Sequence, residues 1–245
     1  MNLLNSLVGV VLDIFFPRRC PVCGDIVVPK SCKACDSCKD QLQLVKEPCC
    51  KKCSKPIEQE EAEYCFDCSN KKFHYEKGFA LWIYDKRMKK SIGDFKYKGR
   101  REYVSFYAEE FIKYYGDVLK QLAPDALIPI PLHKAKLRTR GYNQAELLAR
   151  AIGDQLQIPV INHVLIRNKK TLPQKELNDK ERLKNLLEAF EICEDNHRKL
   201  SYMKRIILVD DIYTTGSTIE ACTNVLKQAG VEEVFFISLC IGKGF

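Results

Sequence analysis

Apolar residues follow two different patterns between residues 78 and 241. Mainly apolar runs that predict strands cover residues 78–84, 126–131, 159–166, 205–209 and 233–241. The run at 205–209 is of the short, β-branched kind that buried parallel strands often have. Between them, apolar residues recur at helical spacing over residues 102–122, 143–156 and 216–229. Gly230 is placed to end the last of these helices. Strands that alternate with helices predict an α/β fold with a parallel sheet.

A further apolar stretch, residues 3–16, predicts a helix over residues 1–17. The stretch lacks the basic n-region and the small-residue cleavage site of a signal peptide, and it is too short to cross a bilayer. We therefore expect no transmembrane segment and a cytoplasmic location. The predicted helix either packs on the rest of the protein or lies on a membrane surface.

The composition narrows the class of protein. A chain of 245 residues is long enough for one medium domain with a real core and for a smaller one. Its 46% hydrophobic and 29% charged residues are typical of a folded soluble protein and exclude a disordered or membrane protein. The formal net charge of +8 favours phosphate-bearing partners. Eight metal-bound thiolates and two Zn²⁺ would lower that charge to about +4.

Ten of the thirteen cysteines lie before residue 69, and eight of them form a repeat. The first module contains Cys20, Cys23, Cys35 and Cys38, and the second module contains Cys50, Cys53, Cys65 and Cys68. Each Cys-x₂-Cys pair lets a tight turn present two thiolates to one ion, so the spacing predicts two closed, structural Cys₄ zinc sites. A single iron in each module fits the spacing as well. Cys32 and Cys49 break the repeat and are excluded as primary ligands.

The clearest chemical motif spans residues 206–218, where an apolar strand ends in two acids and a loop of small hydroxyl residues leads into a helix. Free N–H groups at a helix start bind phosphate, and two adjacent carboxylates suit the two hydroxyls of a ribose. A lysine is missing where an NTPase P-loop requires one. The plainer alternative is a helix cap followed by a turn. The candidate ligand-binding residues are Asp210, Asp211, Thr214, Thr215, Gly216, Ser217 and Thr218.

This motif resembles the phosphoribosyl pyrophosphate signature of type I phosphoribosyltransferases. Residues 128–132 (Ile-Pro-Ile-Pro-Leu) and 140–144 (Arg-Gly-Tyr-Asn-Gln), together with the paired cysteine modules, resemble the ComF family of competence-associated proteins. That family usually has Phe at the position of Tyr142. The resemblance extends to Arg167, Gln174, Arg182 and Asn185.

The resemblance to the ComF family implies an architecture and a role. A double zinc ribbon would cover residues 18–72, and a type I phosphoribosyltransferase-like domain would cover residues 73–245. The domain would bind 5-phosphoribosyl-1-pyrophosphate with Mg²⁺. The family's role is in DNA uptake during natural transformation, which makes single-stranded DNA and other DNA-uptake proteins the expected partners.

The resemblance also implies where the ligand contacts lie. A loop over residues 131–140 would hold the pyrophosphate, with positive charge from its histidine, lysines and arginines; its candidate residues are Leu132, His133, Lys134 and Arg140. A flexible loop over residues 168–181 would close on the ligand. The candidates for loop or acceptor contacts are Gln144, Arg167, Gln174 and Arg182. The plainer alternatives are a solvated basic loop, an ordinary surface loop and, for Asn143, a helix cap completed by Glu146.

Basic residues crowd residues 86–101, where Phe95 and Tyr97 are interleaved with them. Cations attract a DNA backbone and aromatic rings stack on its bases, so the run suits single-stranded DNA. A solvated helix face is the alternative. The candidate DNA-binding residues are Lys96, Lys98, Arg100 and Arg101.

Two functions from different classes fit these features. In the first, the protein is an enzyme that transfers the phosphoribosyl group to an unknown acceptor, chiefly by positioning and charge stabilisation. In the second, it is a non-catalytic single-stranded DNA-binding protein that uses the nucleotide site as a sensor. Fold alone does not decide between them.

Overall fold

The computed structural model describes residues 17–29, 31–59, 61–168, 189–196 and 200–242. The predicted N-terminal helix, nearly all of the predicted flexible loop, and the candidates Gln174 and Arg182 lie outside these ranges. A search of the described helices finds none that is both long enough and apolar enough to cross a membrane.

Within the described ranges the helices are, in chain order, α1 (Asp36–Lys39), α2 (Phe66–Asn70), α3 (Lys86–Tyr97), α4 (Val104–Leu122), α5 (Lys134–Arg140), α6 (Gln144–Leu156) and α7 (Ser217–Gln228). The strands are β1 (Gly78–Ile83), β2 (Ala126–Pro129), β3 (Leu165–Arg167), β4 (Phe190–Ile192), β5 (Arg205–Tyr213) and β6 (Glu233–Ile241). Short 3₁₀ turns cover Arg101–Tyr103 and Glu194–Asn196.

The predicted parallel sheet is confirmed. Strands β1, β6, β5 and β2 lie side by side in that order, and every pair is parallel. Strand β5 extends beyond its predicted end at residue 209, because Asp210, Ile212 and Tyr213 stay in register with β6. An inner strand therefore carries the two acids to the carboxyl edge of the sheet, where ligands of open α/β sheets bind.

The strand predicted over residues 159–166 is wrong in part. Val160 makes only an isolated parallel bridge to Leu127, and His163 then adopts a positive φ of 62°, which an extended strand does not allow. β3 starts at Leu165 and pairs antiparallel with β4. Sequence reasoning missed β4, because three residues are too few to show a strand periodicity.

Two hydrophobic cores flank the sheet, and each cysteine module joins a different one. The first core packs α3, α4 and α6 on one set of strand residues, and it includes Cys20. The second core packs α7 and the β3–β4 hairpin on the other set, and it includes Cys50, Cys53 and Cys65. The modules therefore share their buried surface with the α/β domain.

Candidate functional site

The loop between β5 and α7 presents backbone donors at the start of a helix. Gly216, at a φ of 79°, precedes α7, and no side chain within the described ranges caps this helix start. The first bond of the helix is donated by Glu220 N to Gly216 O at 2.8 Å, so the N–H groups of Ser217 and Thr218 come before it. The hydroxyl oxygens of Thr215 and Ser217 are 3.1 Å apart. The loop thus combines unpaired N–H groups and hydroxyls, as a phosphate site requires.

An aromatic platform packs beneath this loop. Tyr213 stacks on Phe236 with ring centroids 4.7 Å apart, and its hydroxyl lies 2.8 Å from Tyr75 Oη. A Cβ on Gly216 would lie 2.5 Å from Tyr213 Oη and 3.1 Å from Phe73 Cε1. Only glycine fits there. Because Phe73 and Tyr75 come directly after the second module, the chain leaving that module supports the loop.

The same segment engages the acid in the first turn of α7. Glu220 is only 2% exposed; one of its carboxylate oxygens accepts the His74 N–H at 2.8 Å and the other contacts His74 Nδ1. A carboxylate left free at a helix start would compete with a ligand phosphate for the same donors. His74 instead keeps this carboxylate paired. No sequence signal links residues 73–75 to α7, since the contact is created by the tertiary fold.

The two acids of the motif have different partners. Asp210 Oδ1 accepts the Asp211 N–H at 2.8 Å. Burial, reinforced by the Asp211 carboxylate, raises the pKa of Asp210 to about 7. Asp211 pairs with Lys96, whose Nζ lies 2.5 Å from Asp211 Oδ2. The pKa of Asp210 therefore lies near neutral pH, whereas Asp211 has Lys96 as its counter-ion.

Cations from two helices meet beside Lys96. Lys96, Lys136 and Arg140 line a cavity of about 320 Å³ together with Tyr97. The Arg140 guanidinium lies 5.0 Å from the centre of the Tyr97 ring and donates to Gln144 Oε1. Gln144 is buried, and its Nε2 has no partner among the described residues. The structure thus brings Arg140 and Gln144 together.

Other predicted ligand contacts line a second cavity, of about 530 Å³. Leu132, Lys134 and Arg167 belong to it. Arg167 lies over the Phe190 ring at 5.2 Å and is within electrostatic reach of Asp210, although burial lowers its pKa. The candidates for pyrophosphate contact are therefore divided between two cavities.

Two expectations for residues 131–144 are corrected. The predicted loop contains α5, and His133 caps it, since His133 Nδ1 accepts the Ala135 N–H at 3.2 Å. His133 therefore serves as the N-cap of α5 in this structure. Asn143 caps α6 by accepting the Ala145 N–H at 3.1 Å, as the plainer alternative predicts. Glu146 does not complete that cap; it pairs with Arg150.

Both cysteine modules bring their four thiols together. The sulfur atoms of each set lie within 4.8 Å of one another. The Cys23–Cys35 and Cys53–Cys65 sulfur distances are 4.0 and 3.6 Å. A tetrahedral zinc site with Zn–S bonds of about 2.3 Å places its sulfur atoms about 3.8 Å apart. The geometry and the thiolate chemistry therefore fit one zinc ion in each module.

The two excluded cysteines stay outside these clusters. Neither Cys32 nor Cys49 belongs to a metal-ligand group in the described part of the chain. Burial and the neighbouring Glu47 raise the pKa of the Cys49 thiol to about 11.

The predicted DNA-binding residues do not form one surface. Lys98 is 67% exposed and pairs with Asp94 at 2.8 Å. Arg100 is partly exposed beside Glu102, and the Arg101 guanidinium lies over the Tyr142 ring. Lys96 is instead turned inward to Asp211, with 17% of its side chain exposed, which corrects its assignment to an exposed DNA surface. For Lys98, Arg100 and Arg101, DNA binding stays a prediction.

A double zinc ribbon in front of a phosphoribosyltransferase-type α/β domain is the class that the fold and the site define. The family model described as "Double zinc ribbon domain" matches residues 11–69. The model described as "Phosphoribosyl transferase domain" matches residues 137–244. The first match covers the two cysteine modules, and the second covers β5, the phosphate loop, α7 and β6.

Similar proteins identify the family. The chain is 32% identical to competence protein F of Haemophilus influenzae, over 90% of this chain and 95% of that protein. It is 28% identical to competence protein ComFC of Bacillus subtilis, over 81% and 79% of the two chains. It is 30% identical to DNA utilization protein YhgH of Escherichia coli, over 48% and 49%. The chain belongs to the ComF family.

Proposed function

We propose that this protein binds 5-phosphoribosyl-1-pyrophosphate together with Mg²⁺. The observation that carries the proposal is the carboxyl end of β5, where Asp210 and Asp211 are followed by the open helix start at Gly216. The 5-phosphate binds the N–H groups and hydroxyls of residues 214–218. The ribose hydroxyls donate to the two carboxylates, and the pyrophosphate lies toward the cations that accompany Arg140.

Magnesium fits this ligand better than it fits a cage made by the protein. Mg²⁺ is usually bound through substrate phosphates and one or two carboxylates, and it keeps several waters. The pyrophosphate oxygens and the carboxylates of Asp210 and Asp211 are ligands of that kind. When bound, the ion would neutralise part of the charge on the pyrophosphate leaving group.

The test of the phosphate position is a charge placed in the loop. Thr215→Glu should abolish the binding of both phosphoribosyl pyrophosphate and ribose 5-phosphate, because a carboxylate would occupy the phosphate position. Thr215→Val keeps the size and removes only a hydroxyl, so it should weaken binding by about tenfold at most. Calorimetric titration measures both. Normal binding by Thr215→Glu would contradict this position of the phosphate.

We also propose that the protein takes part in DNA uptake, as the names of its competence relatives suggest, and that it binds single-stranded DNA. Tyr97 is 77% exposed, with Arg140 over one face of its ring, so the other face can stack on a base. Lys98 and Arg100 lie close to it in the chain. Replacing Lys98 and Arg100 by Glu should weaken DNA binding and flatten its salt dependence, because fewer counterions are released. An unchanged affinity for DNA would show that Lys98 and Arg100 do not contribute to DNA binding.

Two activities remain candidates for the phosphoribosyl site. In catalysis, an acceptor would attack the anomeric carbon, and pyrophosphate would leave with the electron pair of the broken C–O bond. In sensing, the bound ligand would change DNA affinity without turnover. Pyrophosphate release over a panel of nucleobases and amines distinguishes them: release with one acceptor supports transfer, and a ligand-dependent DNA affinity without release supports sensing.

A further inference from the structure

Lys96 differs from the other cations of the basic run. It lies in the last turn of α3, and its side chain is 17% exposed. Lys98, two residues further on, is 67% exposed. Burial alone would lower the pKa of Lys96, but the carboxylates of Asp211 and Asp210 outweigh burial and raise it. Lys96 is therefore a charged and largely buried lysine beside the proposed ribose acceptors.

Besides its contact with Asp211, Lys96 borders a positively charged cavity. Lys96 is one of the residues that line the cavity of about 320 Å³ with Lys136 and Arg140, and no acidic residue is among the described residues lining it. Such a cavity favours an anion with several charges. Lys96 thus lies at the border between Asp211 on one side and a positively charged cavity on the other.

Ligand binding at this border creates a competition for Asp211. Ribose hydroxyls that donate to Asp211 would compete for its Oδ2 atom, which Lys96 Nζ now contacts. Lysine has a flexible four-carbon stem and three rotatable donors, so it can change partner without a change in the backbone. A buried cation that loses its partner is costly unless it gains another. The pyrophosphate of the ligand is an anion of the required kind, and ribose 5-phosphate has no such group.

We propose that Lys96 is a binding residue that exchanges Asp211 for the ligand's pyrophosphate, and that it thereby selects a pyrophosphate-bearing sugar over the monophosphate. This rests on the proposed function. The contact between Lys96 of α3 and Asp211 would then break when a ligand with pyrophosphate binds.

The first test compares two ligands on two variants. Calorimetric titration with Mg²⁺ gives the affinities for phosphoribosyl pyrophosphate and for ribose 5-phosphate. Lys96→Met should lower the first affinity by about tenfold more than the second, since one charge-assisted contact is lost. Lys89→Met, an exposed lysine of the same helix, should change neither. An equal loss for both ligands would overturn the proposal. Absence of any binding by the wild-type protein would instead refute the proposed function.

The second test separates ligand contact from simple charge neutralisation, and it avoids leaving Asp211 buried without a counter-ion. Magnesium pyrophosphate is titrated into Asp211→Asn and into the double variant Lys96→Met with Asp211→Asn. If Lys96 contacts pyrophosphate, the double variant should bind about tenfold more weakly than Asp211→Asn. Equal affinities would show that Lys96 only neutralises Asp211, and the proposal would be wrong.

Discussion

The two cysteine modules have the same ligand spacing but different surroundings. The first module is the more exposed: Cys20 is buried and Cys23 is exposed. Besides the packing of its apolar residues in the first core, the module makes polar contacts with the α/β domain: Lys90 Nζ donates to Val22 O and Cys23 O at 3.2 and 3.0 Å. Lys33 pairs with Glu109 at 2.5 Å. These contacts attach the module to α3 and α4, whereas the phosphate loop packs on the segment that follows the second module.

The second module lies directly behind the phosphate loop. Three of its four cysteines are buried, and Lys55, only 4% exposed, pairs with Asp67 at 2.6 Å. Cys68 Sγ lies 3.9 Å from Tyr75 Oη, which in turn contacts the Tyr213 hydroxyl. The repeated cysteine motif thus gives two similar metal sites, and the packing around each site determines which part of the protein it supports. We infer that the second zinc stabilises the ligand site and that the first does not.

The largest difference should follow from removing one zinc at a time. Cys35→Ser and Cys65→Ser should each lower the zinc content from about two equivalents to about one. Cys65→Ser should also weaken phosphoribosyl pyrophosphate binding by about tenfold or more, because the aromatic platform beneath the phosphate loop loses the support of the second module. Cys35→Ser should keep the ligand affinity within about threefold.

Elemental analysis and calorimetric titration measure the two effects on the same samples. Cys32→Ser and Cys49→Ser are the controls and should keep both zinc ions. Equal losses of ligand affinity in Cys35→Ser and Cys65→Ser would remove the distinction between the modules, and a zinc content near zero in the wild-type protein would refute the metal sites.

A smaller difference is expected for two glycines with positive φ. Gly216→Ala forces a Cβ toward the Tyr213 hydroxyl, so it should destabilise the protein by roughly 1–3 kcal/mol and weaken ligand binding. Gly24→Ala, in the first module at φ 90°, meets only Lys90 Nζ at 4.0 Å. It should cost about 1 kcal/mol of backbone strain and leave ligand affinity unchanged. Denaturant unfolding and titration check both. A larger loss of ligand affinity in Gly24→Ala than in Gly216→Ala would contradict the claim that only the second module supports the ligand site.

Single polar contacts should give the next smaller effect. Tyr75→Phe removes the hydroxyl that contacts Tyr213 and Cys68, and should lower the free energy of unfolding by about 1 kcal/mol. It should also weaken ligand binding measurably. Lys90→Met removes the two hydrogen bonds that Lys90 Nζ donates to the first module, and should have a similar effect on stability without an effect on ligand affinity. A matching loss of ligand affinity in both variants would count against a special role for Tyr75.

The last effect depends on pH and belongs to the ligand site alone. Because the pKa of Asp210 is raised from 3.8 to about 7, the folded protein holds this proton where the unfolded chain has released it. Stability from this group is therefore present at acid pH and is lost as pH rises from about 4 to 7. Asp210→Asn should raise the melting temperature relative to wild type at pH 8 and much less at pH 5, while it weakens ligand binding. The same difference in melting temperature at pH 5 and pH 8 would show that the pKa of Asp210 is not raised in the folded protein.

Local patterns in the sequence predicted the sheet, the helices α4, α6 and α7, and both metal clusters. Each depends on residues close together in the chain, such as the thiols of Cys50 and Cys53 or the hydroxyl loop that follows β5. Contacts between distant segments left no pattern. Only the complete fold brings Phe73 and Tyr75 beneath the phosphate loop. It likewise brings Lys96 to Asp211. Lys96 was therefore grouped with its neighbours in the basic run.

The most direct test of the central claim is a calorimetric titration of phosphoribosyl pyrophosphate into the wild-type protein and into the double variant Asp210→Asn with Asp211→Asn, with and without Mg²⁺. Wild type should bind in the presence of Mg²⁺, and more tightly than it binds ribose 5-phosphate. The double variant nearly keeps side-chain size but loses the charge, so it should bind at least about tenfold more weakly, since each charged hydrogen bond contributes roughly 1.5–3 kcal/mol. No magnesium-dependent binding at millimolar ligand, or normal binding by the double variant, would contradict the account.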